Sequence, residues 1–137
     1  MSLVDLVDLQ VLGDERGQLV VLEAQRNVPF DIKRVYFLMG TRPGVSRGFH
    51  AHRELLQAAI CVSGQCRMLM NNGLTVEEVI LDSSSKAIFI DKMIWHEMHD
   101  FSADCVLLVL ASDFYNELDY IRSYQEFIGL LNHAENT

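Results

Sequence analysis

The sequence is poor in several features that define large classes of proteins. Two of its 137 residues are proline and three are cysteine, with no C-x-x-C pair among them, so we expect free thiols that serve as small buried hydrophobic residues. Eleven Lys and Arg against 19 Asp and Glu give a net charge of -8. Such a chain has no overall positive field, and we expect no nucleic-acid partner. The apolar runs are too short to cross a bilayer, so we expect no membrane span.

The N-terminus also lacks the features of a secretory signal. Acidic residues stand at Asp5 and Asp8, where such a signal needs a basic start and an unbroken apolar stretch. Together with the few cysteines, this predicts a cytoplasmic protein. Half of the residues are hydrophobic and 22% are charged, which is typical of a packed globular chain, and its length fits one domain spanning 1–137.

Short stretches rich in Val, Ile, Leu and Phe recur along most of the chain with turn signals between them. They predict strands at 18–23, 32–39, 55–62, 65–70, 74–81, 87–90, 94–98 and 105–111. Ser63-Gly64 predicts a tight hairpin between the third and fourth of these strands, and Asn71-Asn72-Gly73 a second turn. We therefore expect the strands at 65–70, 74–81 and 87–90 to form a meander, and those at 94–98 and 105–111 to pair.

The pattern changes near the C-terminus. From Leu118 to Leu131 apolar residues recur at spacings of three and four, which predicts an amphipathic helix over about 116–131. The fold class predicted is mainly β: a closed or double-sheet structure such as a jelly roll, with its core over about 5–112 and this helix after it.

The segment RGFHAH at 47–52 carries the strongest chemical signal. In a strand, residues two apart point to the same side, so His50 and His52 would project together and Ala51 away from them. If that face is the interior, two imidazoles share a cavity. The alternative is an exposed pair on an edge strand or loop.

The spacing after this pair resembles that of metal-binding cupins, with one ligand changed. Such cupins place a Glu five residues after the second His and a Gly seven residues later; here these positions hold Gln57 and Gly64, and His96 corresponds to a later third His. A neutral amide is a poor substitute for a carboxylate at a divalent metal, so we expect no metal and no cofactor. Two imidazoles without a metal can still transfer protons near neutral pH, and Tyr36 could assist as a hydrogen-bond donor.

Four motifs in order resemble a more specific family, the dTDP-4-keto-6-deoxyglucose 3,4-ketoisomerases, which are metal-free cupins of the WxcM-like group. The motifs are DERGQL at 14–19, RGFHAH at 47–52, WHEMHDFS at 95–102, and ASDFY at 111–115 followed by DYIR at 119–122. The resemblance implies a single cupin domain that acts on a dTDP-linked 4-keto-6-deoxy sugar. It implies His52 as the base at C3, His50 as the partner that relays or returns a proton, and Tyr36 as a hydrogen-bonding helper.

The same resemblance implies how the substrate and a second subunit are bound. Local cations must hold the diphosphate of the substrate, and Arg16 and Arg47, each beside a glycine, are stronger candidates than Arg34 and Arg42. The complete set of expected substrate-binding residues is Arg16, Gly17, Arg34, Arg42, Arg47, Gln57, Trp95 and His96. We expect a homodimer. The apolar arm 3–12 could be exchanged between its subunits, and the alternative is an ordinary strand within one chain.

Two other functions remain open on the sequence. One is a metal-dependent cupin enzyme that uses His50, His52, Gln57 and His96 as ligands. The other is a non-catalytic protein that binds sugar nucleotides.

Overall fold

The protein is built from two five-stranded antiparallel sheets, as seen in a computed structural model that describes residues 3–135. The predicted domain limits, 1 and 137, lie outside the described residues. The strands are β1 Leu6–Asp8, β2 Val11–Asp14, β3 Gly17–Val20, β4 Arg34–Leu38, β5 Arg47–His52, β6 Gln57–Ser63, β7 Cys66–Asn71, β8 Val76–Leu81, β9 Lys86–Ile90, β10 Trp95–His99, β11 Val106–Ala111 and β12 Tyr120–Ile121. One helix, α1, spans Tyr124–Glu135.

The strand order is that of a jelly roll. The first sheet runs β1-β9-β6-β11-β4 and the second β12-β5-β10-β7-β8, while β2 and β3 form a separate hairpin. The main hydrophobic cluster lies between the sheets, because it draws Ile88 and Leu107 from the first sheet and Met68 and Met98 from the second. The prediction of a mainly β jelly roll of the cupin type with a C-terminal helix is confirmed.

The prediction of a hairpin at Ser63-Gly64 is wrong. β6 pairs with β9 and β11, whereas β7 pairs with β8 and β10, so the chain crosses from one sheet to the other at this turn. β6 is buried from Gln57 through Cys61, and such a strand needs neighbours on both edges. Those neighbours come from distant parts of the chain, which a local turn signal cannot reveal.

The meander and the later strand pair are wrong for the same reason. The turn Asn71-Asn72-Gly73 does join paired strands, β7 and β8. The next strand, β9, lies in the first sheet, beside β1 and β6. β10 and β11 likewise lie in different sheets, because successive strands of a jelly roll commonly alternate between its two layers.

The C-terminal helix begins later than the predicted residue 116. Glu117–Asp119 form a 3-10 turn, in which the side chain of Asn116 accepts a hydrogen bond from the Leu118 amide. Tyr120 then pairs with His52 in the second sheet. α1 follows Ser123, whose hydroxyl accepts a hydrogen bond from the Glu126 amide, as helix-capping serines do. The segment 116–123 therefore holds a 3-10 turn and the edge strand β12, and the helix begins only after it.

Within the described residues, no helix has the length and apolar character needed to cross a membrane.

Candidate active site

Strands β5 and β10 place three histidines against one another. His50 and His52 lie on the same face of β5, as their spacing predicts, and His96 of β10 is the register partner of His50. The ring centroid of His50 lies 4.6 Å from that of His96 and 5.0 Å from that of His52. The three imidazoles thus form one cluster, which we call the histidine cluster.

A local irregularity of β5 aims His50 into this cluster. The pairing of β5 with β10 shifts between His96 and Glu97, so that Phe49 is an extra residue with a φ of 61°. Gly48 has a φ of 91°, and a Cβ there would lie 3.0 Å from the carbonyl oxygen of His96. The Gly48 carbonyl accepts a hydrogen bond from Nδ1 of His50 at 3.1 Å. Glycine is favoured at this position because of the positive φ and the close backbone.

Hydrogen bonds donated by Nδ1 fix which nitrogen carries the proton in each of the three rings. His50 and His96 donate from Nδ1 to the carbonyls of Gly48 and Ile94, each at 3.1 Å. His52 donates from Nδ1 to Oδ2 of Asp119, also at 3.1 Å. Because each acceptor is an oxygen without a hydrogen, Nδ1 carries the proton and Nε2 keeps a lone pair in the neutral ring. Nε2 of His52 is buried and has no hydrogen-bond partner in the described structure.

Burial keeps these imidazoles neutral. It is the main cause that lowers the pKa of His52 to about 4 and that of His96 to about 3, and the neighbouring His50 lowers both further. Burial also lowers the pKa of His50. The carboxylate of Asp119 raises the pKa of His52 and so partly offsets these effects. All three rings are therefore uncharged bases at neutral pH.

Tyr36 supplies a hydroxyl from the first sheet. Its oxygen accepts a hydrogen bond from Nε2 of Gln57 at 2.9 Å, which leaves the phenolic proton free to be donated to a ligand. Burial raises the pKa of Tyr36 to about 12, so the phenol stays protonated at neutral pH. Oε1 of Gln57 is buried and lacks a partner among the described residues.

His50 of the histidine cluster and Tyr36 line a cavity of about 320 Å³. Three arginines contribute to its wall: Arg34, Arg47 and Arg122. Nε of Arg34 is buried and unpartnered in the described structure, while the guanidinium of Arg122 lies 4.2 Å from the centroid of the Tyr120 ring. Arg122 is also paired with Glu117, Nε to Oε1 at 2.7 Å, so Arg34 and Arg47 supply most of the local positive charge. In a chain of net charge -8, this charge suits an anionic group such as a phosphate. The lining residues are Arg34, Tyr36, Leu38, Arg47, Gly48, His50, Met98, Tyr120 and Arg122.

Four of the predicted site residues line this cavity: His50, Tyr36, Arg34 and Arg47. Three others lie just behind the wall. His52 and His96 are 2% and 3% exposed and contact His50, and Gln57 is held by Tyr36.

The remaining predicted residues lie elsewhere in this chain. Arg42 lines a neighbouring depression that shares Arg47 with the main cavity. Arg16 and Gly17 are at the tip of the β2–β3 hairpin, where the guanidinium of Arg16 is exposed and paired with Asp14 at 2.7 Å. Trp95 packs against Phe127 of α1, on the face of β10 opposite His96, so it does not border the cavity.

Three residues beside the histidines were not selected from the sequence as site residues: Asp119, Tyr120 and Arg122. The apolar spacing assigned them to the start of a helix. The available signal was their place in the DYIR segment at 119–122, one of the motifs of the resemblance. The 3-10 turn and β12 bring this segment next to β5.

Among residues 3–135, two side-chain clusters could hold a metal ion, namely the histidine cluster and a group formed by Cys61, Cys66 and Cys105. The three imidazoles could supply three of the four protein ligands of a metal-binding cupin. The fourth position falls to Gln57, whose amide nitrogen donates to Tyr36 and whose oxygen is a neutral, weaker ligand than a carboxylate. The fit to a cupin metal is thus partial.

The fold and this cavity define a small cupin built for proton transfer on an anionic ligand. The model of the FdtA family, described as WxcM-like, C-terminal, matches residues 2–132. The chain belongs to this family. It is 46% identical over 122 residues to a TDP-4-oxo-6-deoxy-alpha-D-glucose-3,4-oxoisomerase of Aneurinibacillus thermoaerophilus, a match that covers 89% of this chain and 88% of the relative.

Solved structures of similar proteins agree with this assignment. A 3,4-ketoisomerase from Helicobacter canadensis superposes with a TM-score of 0.92 at 43% identity, over 94% of this chain and 97% of that one. A mutant of the 3,4-ketoisomerase QdtA from Thermoanaerobacterium thermosaccharolyticum, in complex with TDP-4-keto-6-deoxyglucose, has a TM-score of 0.92 at 34% identity, over 97% and 96% of the two chains.

Proposed function

We propose that this protein is a sugar-nucleotide 3,4-ketoisomerase that converts dTDP-4-keto-6-deoxyglucose into a dTDP-3-keto-6-deoxyhexose. The observation that carries the proposal is that neutral His50, backed by neutral His52, and a protonated Tyr36 meet at one arginine-lined cavity. The names of its relatives supply the substrate class. The reaction is an internal redox change that needs proton transfers alone.

The chemistry begins at C3 of the sugar, where the carbonyl at C4 acidifies the C3 proton. A base removes this proton, the electron pair forms a C3=C4 double bond, and the C4 oxygen gains a proton to give an enediol. Loss of the proton from the C3 hydroxyl then creates the C3 carbonyl while C4 is protonated. No atom is gained or lost, and the carbonyl has moved from C4 to C3.

The position of each side chain favours a division of these tasks. The resemblance implied His52 as the base at C3, but His50 is the imidazole that lines the cavity, and His52 is buried behind it. We therefore assign to His50 the proton transfers at carbon. We assign to His52, held by Asp119, the relay of protons to and from His50. Tyr36 donates to a sugar oxygen and stabilises the charge that develops on it.

Arg34 and Arg47 suit the diphosphate, and Arg122, paired with Glu117, can contribute beside them. Arg47 and Arg122 lie at its exposed rim, and Arg34 brings an unpartnered Nε from the wall. Arg16 lies outside this cavity in the same chain. It can meet the substrate only if its hairpin reaches the cavity of another copy.

We also propose that the protein acts in the cytoplasm as a homodimer with exchanged N-terminal strands. β1 here pairs with β9 of its own chain, and the β2–β3 hairpin stands outside both sheets with Val11, Leu12 and Leu19 exposed. Apolar side chains on such a hairpin are suited to packing against a second copy. Sedimentation of the purified protein tests the proposed dimer, and a monomer at micromolar concentration contradicts that dimer.

The test of the reaction uses EDTA-treated protein with dTDP-4-keto-6-deoxyglucose in deuterated water, followed by proton NMR. We expect a new 3-keto product, and the coupling at C4 assigns its configuration. The His50→Asn variant should bind the substrate without turnover. Binding without turnover by the unaltered protein supports a non-catalytic binder instead, and turnover that requires an added divalent ion supports the metal-dependent alternative.

A further inference from the structure

The fold brings all three cysteines of the chain together, although Cys105 is about 40 residues from the other two in sequence. Cys61 lies in β6 of the first sheet, Cys66 begins β7 of the second, and Cys105 immediately precedes β11. Their Sγ atoms lie within 4.8 Å of one another, and those of Cys61 and Cys105 are 3.5 Å apart. All three residues are at most 2% exposed and are free thiols.

The separation of these sulfur atoms is close to that of a zinc–thiolate site. With a Zn–S bond of about 2.3 Å, tetrahedral geometry places the sulfurs about 3.8 Å apart. Side-chain movements of about 1 Å or less would therefore bring three sulfurs to one ion. Soft thiolate ligands also select Zn²⁺ and other thiophilic ions over hard cations such as Mg²⁺.

An acidic side chain lies beside the turn that two of these cysteines flank. Asp104, next to Cys105, is exposed, and its Oδ1 would lie 2.6 Å from a Cβ placed on Gly64. Gly64 lies in the crossover turn between Cys61 and Cys66. An acidic, exposed side chain thus stands at the turn that two of the three cysteines flank.

We propose that Cys61, Cys66 and Cys105 form a structural site for a thiophilic metal ion, Zn²⁺, whose fourth ligand is the Asp104 carboxylate or a water molecule. The ion joins the two sheets at the turn where the chain passes from β6 to β7. None of the three cysteines lines the main cavity, so the site stabilises the fold and takes no part in isomerisation.

The test exploits the fact that the chain has three cysteines and all belong to this cluster. Cd²⁺, a spectroscopic substitute for Zn²⁺, gives an ultraviolet charge-transfer band only when thiolates bind it. We therefore titrate the folded protein with Cd²⁺ under a phosphine reductant. Binding at the histidine cluster gives no such band. We expect one equivalent of Cd²⁺ to bind with the band, and Zn²⁺ to suppress it by competition.

Two variants test whether the cysteine cluster, and not the histidine cluster, binds the ion. Cys66→Ala should weaken Cd²⁺ binding at least tenfold and reduce the band, whereas His96→Asn, which alters the other cluster, should leave the band unchanged. If Cys66→Ala does not fold, Cys105→Ser takes its place. Absence of the band in the folded unaltered protein after prolonged incubation overturns the proposal. So does a band that is identical in the cysteine variant. Isomerase activity is unaffected by either outcome, so the two proposals fail separately.

Discussion

Nδ1 of His52 donates a hydrogen bond to Oδ2 of Asp119 at 3.1 Å, across 67 residues of sequence. The other carboxylate oxygen of Asp119 accepts a hydrogen bond from the Glu54 amide at 2.8 Å, so the carboxylate is held in place on both sides. This contact determines which nitrogen of His52 carries the proton. It leaves Nε2, on the opposite side of the ring, as the basic atom.

We expect Asp119→Asn to lower kcat by on the order of 100-fold with little change in KM, because an amide can present its NH₂ to Nδ1 and favour the wrong tautomer. Steady-state kinetics measure the effect. Asp113→Asn, which alters an exposed acid of the same region, is the control and should leave kcat unchanged. Equal losses in both variants would contradict the role given to Asp119.

Tyr36→Phe should lower kcat about tenfold, because the hydroxyl contributes one hydrogen bond worth roughly 1.4 kcal/mol to the charged intermediate. The neighbouring Phe37 points outward and is exposed, so Phe37→Tyr adds a hydroxyl to the same strand away from the cavity. We expect that control to be neutral. A Tyr36→Phe enzyme with unaltered kcat would remove Tyr36 from the mechanism.

Arg47→Ala should raise KM about 10- to 100-fold with a smaller effect on kcat, since a charge-assisted contact to phosphate contributes about 1.5–3 kcal/mol. The same change should weaken binding of dTDP alone, measured by calorimetry. Arg26→Ala removes an exposed arginine outside the cavity and should change neither quantity. If both variants bind dTDP equally well, Arg47 does not hold the diphosphate.

The buried histidines predict how stability depends on pH. The pKa of His96 is about 3 in the folded protein, against about 6.5 for an unperturbed imidazole. Between these values the unfolded chain binds more protons than the folded one, so the free energy of unfolding should fall as the pH is lowered from 7 to 5. Urea denaturation at both pH values measures this dependence.

His96→Asn should reduce this pH dependence, whereas His133→Gln, at an exposed position of α1, should preserve it. An unchanged pH dependence of stability in His96→Asn would show that the buried ring of His96 is not its source.

The activity should also depend on pH. Because the pKa values of His50 and His52 are lowered, both bases become protonated only at a pH below 6.5. The acid limb of kcat/KM should therefore lie below that pH.

Much of the fold could be predicted from local patterns because strands and turns leave local signals. Alternation located β4, an apolar stretch located β10 to within one residue, and Asn71-Asn72-Gly73 marked the β7–β8 turn. Pairing between strands was predicted wrongly at Ser63-Gly64, because a turn between two strands looks the same in sequence whether they join one sheet or two. Apolar spacing likewise placed Ile121 in a helix, although it is buried as a strand residue.

The sequence by itself determined that His50 and His52 share one face, because alternation in a strand is a local property of the backbone. It also identified the family, whose motifs are contiguous segments. Only the tertiary structure decided that Asp119 and Arg122 join these histidines and that Cys105 meets Cys61 and Cys66. It also placed Trp95 and Arg16 outside the cavity. These contacts depend on which sheet each strand enters, and that choice is made by packing between residues far apart in the chain.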